Sequence, residues 1–191
     1  LTQFGLVLLS GNGSESLFSF TNFQRLTCVY DASKANGCTR RILYLCKNLK
    51  YTIMPYPEML VAPMRAELTN GGFTELKSAD DVVAFMEGNE DTTLVMVNSV
   101  CGCAAGSARP GVLKSLSGDK KPAKIVTVFA GQDLDAVAKI REYMAPYPPS
   151  SPAVALFKGG EVVHMVERHM IEGRTAEMLA DNLQGAYAIH C

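Results

Sequence analysis

From Met54 onward the apolar positions divide the chain into short periodic blocks. In "YPEMLVAPMRAELTNGG", Met59, Leu60, Pro63, Met64 and Leu68 are spaced as one helix face, and Gly71-Gly72 is the stop. Pro63 within that pattern predicts a kink or a late start. "FTEL" reads as a short strand. Ser78 then offers an N-cap, with Asp80 and Asp81 in the first turn. Val82, Val83, Phe85 and Met86 give that second helix its apolar side, and it ends near Gly88. "TTLVMVNSV" is β-branched and apolar without alternation, the pattern of a strand buried on both faces. A helix-favouring stretch, "AAGSARPGVLKSL", follows, with Pro110 expected to kink or break it. "KIVTVFAG" is a second buried strand, and "DLDAVAKIREYM" is an amphipathic helix opened by Asp133. "PYPPSSP" is a rigid turn region. "AVALF" and "EVVHMV" flank Lys-Gly-Gly as a hairpin. "RTAEMLADNLQGAYAIH" closes the chain as a helix, with Met178, Leu179 and Leu183 on one side.

Alternation of β and α in the first half requires a parallel core sheet with helices on both faces. The terminal hairpin adds antiparallel strands. The expected fold class is therefore α/β: a thioredoxin-like central mixed sheet, helices on both faces, and an extra N-terminal helix. "NSVCGCAAGSARP" places Cys101 and Cys103 where a central strand ends and a helix starts. In open α/β sheets sites are built at such ends.

Composition narrows the function classes. The chain has 191 residues, 48% of them hydrophobic and 19% charged, with a formal net charge of -1. That balance gives no electrostatic case for nucleic acid or an anionic membrane. No apolar run is long and uninterrupted enough to span a bilayer. Residues 1–53 differ from the rest. They hold none of the nine methionines and carry six Lys/Arg against two Asp/Glu, compared with twelve against seventeen afterwards. They also lack a sustained period. A non-native or disordered extension over 1–53 is expected, followed by a domain over 54–191 with a natural start at Met54. A signal peptide around "FGLVLL" is the rival, but it lacks a basic segment and a cleavage site. Asn12-Gly13-Ser14 is a weak glycosylation match.

Three of the six cysteines, Cys28, Cys38 and Cys46, fall in that extension. Cys101, Cys103 and Cys191 remain, an odd number that argues against a closed extracellular disulfide framework. A close pair with one further thiol fits cytoplasmic redox or metal chemistry. At a helix N-terminus, free N–H groups and partial positive charge favour a thiolate. Cys101 is thus the expected nucleophile and Cys103 the residue that displaces what Cys101 captures. Gly102, lacking a Cβ, is expected to let the backbone bend enough to join the sulfurs. Strain in so short a ring makes the pair a moderate oxidant. Two alternatives stand beside this: small buried hydrophobes, or a metal site completed by His190 and Cys191.

A proline in cis before the hairpin strand faces the cysteines in this fold plan, and Ser151-Pro152 occupies that slot. The Ser151 backbone is then expected to pair with an incoming substrate strand. His164, Glu167, Arg168, His169 and Glu172 could include a proton acceptor for Cys103, although a polar strand end and solvated loop is the simpler reading. Arg109 is expected on a solvated helix surface rather than at a thiolate or a ligand carboxylate. Cys191 reads as a bystander.

"LVMVNSVCGCAAGSARP", "VTVFAGQD", "REYM", "PSSPAVALFKGGEVVHMVERHMIEG" and the terminal "HC" closely resemble the bacilliredoxin family, small bacterial thioredoxin-like proteins with a Cys-Gly-Cys centre. The match covers about Pro55 to Cys191. The resemblance implies a cytoplasmic thiol–disulfide oxidoreductase that strips the low-molecular-weight thiol bacillithiol from client proteins after oxidative stress. Cys101 would take the bacillithiol, and Cys103 or a second bacillithiol would clear it. No resident cofactor or metal is implied; bacillithiol is a co-substrate, and the partners are bacillithiolated clients. Isomerase or reductase action on protein disulfides, or non-enzymatic carriage of a metal or thiol by the two cysteines, are the alternatives. Met170 departs from the family, where an acidic residue is expected.

Overall fold

The computed structural model describes residues 55–191. The expectations for residues 1–53, for Met54 and for Cys28, Cys38 and Cys46 lie outside the described residues.

Five strands form one sheet: β1 (Thr74–Glu75), β2 (Thr93–Asn98), β3 (Lys124–Phe129), β4 (Ala153–Lys158) and β5 (Glu161–Val166). Their spatial order is β1-β3-β2-β4-β5. β3 is parallel to both β1 and β2, while β4 is antiparallel to β2 and β5 to β4. All six residues of β2 are buried, because both faces of this central strand are covered. Leu94 and Met96 enter one apolar cluster, and Val95 and Val97 enter the other. On the first face lie α1 (Glu58–Thr69), α3 (Arg109–Ser115), the short α5 (Arg168–Ile171) and α6 (Ala176–His190). On the second lie α2 (Ala79–Met86) and α4 (Leu134–Tyr143). This is the mixed-sheet, thioredoxin-like architecture with an additional leading helix.

Local chemistry explains the boundaries. Ser78 caps α2 reciprocally with Asp81: the Asp81 N–H donates to Ser78 Oγ at 3.1 Å, and the Ser78 N–H donates to Asp81 Oδ2 at 2.9 Å. Gly159 and Gly160 turn the hairpin with φ of 59° and 79°, a pair of left-handed residues that suits the strand twist. Pro110 neither ends nor breaks its helix. Residues Ala104–Ala108 instead form a π-helical turn, in which the Arg109 N–H reaches back to the Ala104 carbonyl. Pro110 is then the second residue of α3, where its missing N–H is tolerated, and the helix continues to Ser115.

Two expected apolar faces and one expected loop are corrected. α1 buries Val61, Arg65 and Leu68, whereas Met59 and Leu60 are exposed. Position 65 carries a guanidinium that is paired inside, so apolar periodicity pointed at the wrong side of the helix. On α6, Leu179 and Leu183 are buried but Met178 is exposed; the interior row is Leu179, Leu183, Ala186 and Tyr187. "RHMI", expected as solvated loop, is the short helix α5 with Ile171 buried.

Candidate active site

β2 delivers the chain into Ser99, Val100 and Cys101 at its C-terminal end. The Cys101 carbonyl accepts from the Ala104 and Ala105 N–H groups at 3.1 and 3.2 Å, so Cys101 begins the helix that runs through the π-turn into α3. Its sulfur accepts from the Ala104 N–H at 3.4 Å, as an N-cap side chain does. Ser99 Oγ lies 3.2 Å from the Cys101 sulfur, and Cys103 Sγ lies 2.7 Å from it. Both thiols are half-buried and free.

The two sulfurs differ electrostatically. Burial pushes Cys101 up, but hydrogen bonds from Cys103, Ser99 and the Ala104 N–H, with the charge of Arg168, outweigh it and hold the thiol below its ordinary range. Burial also raises Cys103, and the hydrogen bond and negative charge of Cys101 add to that rise, against a smaller opposing pull from Arg168. Cys101 is therefore the sulfur that ionises first.

Arg168 is the one charged residue of the "EVVHMVERHMIEG" segment whose field acts on both thiols. Its Nε donates to Glu172 at 2.7 Å and its Nη1 to the Ser151 carbonyl at 3.3 Å. The Ser151–Pro152 peptide is cis. Pairing of Ala153 with Val97 puts this bond at the same end of the sheet as Ser99 and the cysteines. Pro152 itself is buried and Ser151 half-buried. His164 pairs with Asn182 at 2.8 Å, and His169 stands 4.0 Å from Glu167; neither is hydrogen-bonded to a sulfur.

Several expectations change. Gly102 has no left-handed φ, and a Cβ built there meets nothing within 4 Å, so the close sulfurs do not require glycine at that position. The position is exposed and faces open space. Arg109 is 2% exposed, not a solvated helix residue. His190 and Cys191 cannot complete a metal site with the pair. Lys158, at the far end of β4, donates to the His190 carbonyl at 2.8 Å, which puts the C-terminus about 17 Å away along the length of β2. Among the described residues no group of three or more His, Cys, Asp or Glu is placed to hold a metal ion. No helix among them is long and apolar enough to cross a membrane. Ser99 drew no attention in the sequence, since a serine after an apolar run reads only as a strand end.

A family model described as disulphide isomerase matches residues 56–191. A bacilliredoxin of Cytophaga hutchinsonii is 61% identical over 132 residues, spanning 69% of this chain and 97% of its own length. One from Halalkalibacterium halodurans is 56% identical over 136 residues, spanning 71% and 94%. The oxidised mitochondrial thioredoxin 3 of Saccharomyces cerevisiae overlays 62% of this chain and 95% of its own at 12% identity and a TM-score of 0.41, too loose a fit to carry an argument. By the extent of the family match and the identity to these relatives, the chain belongs to the bacilliredoxin family of thiol–disulfide oxidoreductases.

Proposed function

We propose that the protein removes bacillithiol from mixed disulfides on client proteins, with Cys101 as nucleophile and Cys103 as resolving thiol. The observation that carries this reading is the asymmetry of two sulfurs 2.7 Å apart, the first held toward thiolate and the second toward thiol. The Cys101 thiolate attacks the bacillithiol sulfur of the mixed disulfide. The old S–S bond breaks, the client leaves as a thiolate, and bacillithiol is now joined to Cys101. Capping Cys101 removes the hydrogen bond and the charge that helped hold Cys103 protonated. Cys103 then loses its proton more readily, attacks the Cys101 sulfur and expels bacillithiol as a thiolate. Forming the new bond, about 2.05 Å long, needs closure of less than about 1 Å from the observed separation. An external thiol reduces the resulting disulfide. Nothing in this sequence of steps needs a resident cofactor or metal.

The open surface at Gly102 would receive the capped client, with the Ser151–Pro152 backbone beside it as a rail for an extended segment. The low charge of the chain gives no reason to add nucleic acid or membrane to its partners. A reaction that turns on free thiols fits the cytoplasm.

The family model's description favours a second reading, isomerase action on protein–protein disulfides. The deciding experiment presents clients capped with bacillithiol, clients capped with glutathione, and scrambled-disulfide clients side by side. Intact mass is followed for the wild type, Cys101→Ala and Cys103→Ala. Bacillithiol release by the wild type, with the adduct trapped on Cys101 in Cys103→Ala, supports the proposal. Preference for scrambled disulfides supports the isomerase.

A further inference from the structure

Ser99 lies between β2 and the cysteine turn and is 7% exposed. Among the described residues its hydroxyl has one hydrogen-bond partner, the Cys101 sulfur. A thiolate has no proton to give, so against ionised Cys101 the hydroxyl must be the donor. That bond is useful only if the Ser99 backbone is held still, and it is held on both sides. Its N–H donates to Asn98 Oδ1 at 2.8 Å, and its carbonyl accepts from Arg109 Nη1 at 3.1 Å. The same Nη1 stands 3.2 Å from Asn98 Oδ1. The Asn98 amide is fixed in turn by donating to the Met64 carbonyl at 3.3 Å. On its other edge the guanidinium donates from Nε to Glu67 Oε2 at 2.6 Å. One buried cation from α3 thus grips the two residues that precede the cysteine turn, and a carboxylate on α1 partners it.

A buried guanidinium is a costly way to fill space. Apolar side chains of similar volume commonly do as well or better for stability. The grip is also specific in direction: the fork points at a main-chain carbonyl and a side-chain amide beside the reacting sulfur, not at a generic counter-ion. Planar, forked geometry of this kind cannot be reproduced by a lysine.

We propose that Arg109 is a positioning residue for the nucleophile: with Glu67 and Asn98 it holds Ser99 so that the serine hydroxyl donates to the Cys101 thiolate. The inference rests on Cys101 being the attacking sulfur, and it assigns work to three residues outside the Cys-Gly-Cys turn. Ser99 touches the reacting atom; Arg109 acts through it. When the sulfur goes on to attack a disulfide, the Ser99 bond is given up, and it returns when thiolate is regenerated.

The test measures the pH dependence of alkylation of Cys101 by iodoacetamide in the full chain, with peptide mapping to assign the modified sulfur. The variants are Ser99→Ala, Arg109→Lys, their combination, and Glu67→Gln. Ser99→Ala is expected to move the apparent pKa of Cys101 up by about one pH unit. Arg109→Lys keeps the charge but loses the fork, and it is expected to move the pKa in the same direction. The combined variant is expected to move it no further than Ser99→Ala alone, because both changes break one bond. Three results overturn the proposal: an unchanged profile in Ser99→Ala, an Arg109→Lys protein with a lower melting temperature but the wild-type profile, or shifts that add. If Arg109→Lys does not fold, Glu67→Gln substitutes for it. Glu67 is half-exposed; Glu67→Gln is expected to move the Cys101 profile to higher pH where Ser99 is present and to leave it unmoved in the Ser99→Ala background, and a shift that persists there overturns the proposal. Alkylation mapped to Cys103 in the wild type would remove the nucleophile assignment itself. Alkylation of Cys101 with a profile indifferent to Ser99 would remove the positioning role and leave the assignment standing.

Discussion

The Arg65 guanidinium lies along the Asp133 carboxylate, with Nη1 2.9 Å from Oδ2 and Nη2 2.8 Å from Oδ1. Both side chains are 9% exposed. Arg65 Nη1 also reaches Glu75 at 2.8 Å, and the Phe129 ring lies 5.1 Å from the guanidinium carbon. Asp133 sits at the N-cap position of α4 but makes no side-chain cap bond there; its carboxylate serves Arg65 and the Phe129 N–H instead. The pair ties the leading helix α1 to the ends of β1 and β3. Removing Arg65 leaves Asp133 buried without its counter-ion, at a cost of about 3–5 kcal/mol; removing Asp133 leaves Arg65 still paired with Glu75 and costs less. Arg65→Ala is expected to lower the melting temperature by about 10 °C, and Asp133→Ala by less. Thermal unfolding followed by circular dichroism checks this, and a drop of under about 2 °C in Arg65→Ala would contradict it.

The thiol pair should show its asymmetry in pH profiles. A lowered pKa leaves more thiolate at neutral pH, so wild-type Cys101 should alkylate faster than free cysteine at pH 7. Cys103→Ala takes away a donor to that thiolate, so the Cys101 profile should move to higher pH. Cys101→Ala removes a hydrogen bond and a negative charge that raise Cys103, so the Cys103 profile should move to lower pH, with burial still holding it up. Opposite directions in the two variants are the signature; parallel shifts would refute the coupling.

Arg168 acts on the sulfurs from an exposed position, across solvent. Its contribution should therefore depend on salt. Arg168→Met is expected to raise the Cys101 pKa at low ionic strength and to have little effect at about 1 M salt, where the Debye length is about 3 Å. A shift that is the same at both ionic strengths would mean a direct contact rather than a field.

Two glycines give opposite expectations. A Cβ on Gly111 would meet Leu179 Cδ2 at 2.9 Å and the Ala176 carbonyl at 3.0 Å, where α3 crosses α6. Gly111→Ala should destabilise by about 1–3 kcal/mol through overpacking. Gly102→Ala meets no neighbour, and at the start of a helix it should be neutral or stabilising by up to about 1 kcal/mol. Denaturant titration of both variants compares them. Slower exchange with a capped client in a stable Gly102→Ala protein would locate the client over that position.

What could be read from the residues alone divides along physical lines. β2 announced itself because a strand covered on both faces is apolar throughout, and Lys158-Gly159-Gly160 because the turn needs left-handed residues. The cysteine turn was visible because two thiols beside one glycine are rare at a strand-to-helix junction. Arg65 and Arg109 were not visible as interior residues. A charged side chain reads as surface until its partners are known, and those partners stand 10 to 68 positions away in the chain. Ser99 was missed for a different reason: its partner is only two residues on, but its significance is a distance to sulfur that a serine after an apolar run does not signal. The buried side of α1 was misplaced because Met59 and Leu60 are apolar yet face outward.

Ala104–Ala108 winds with more residues to the turn than its flanks do. An ordinary helix advances about 100° per residue, so a surplus position there resets the azimuth of everything that follows. Cys101 and Cys103 belong to the winding before the reset, Arg109 to the winding after it. Shortening that segment by one residue would leave both sulfurs in place while swinging the guanidinium away from the Ser99 carbonyl, uncoupling the reactive end of the helix from its anchored end.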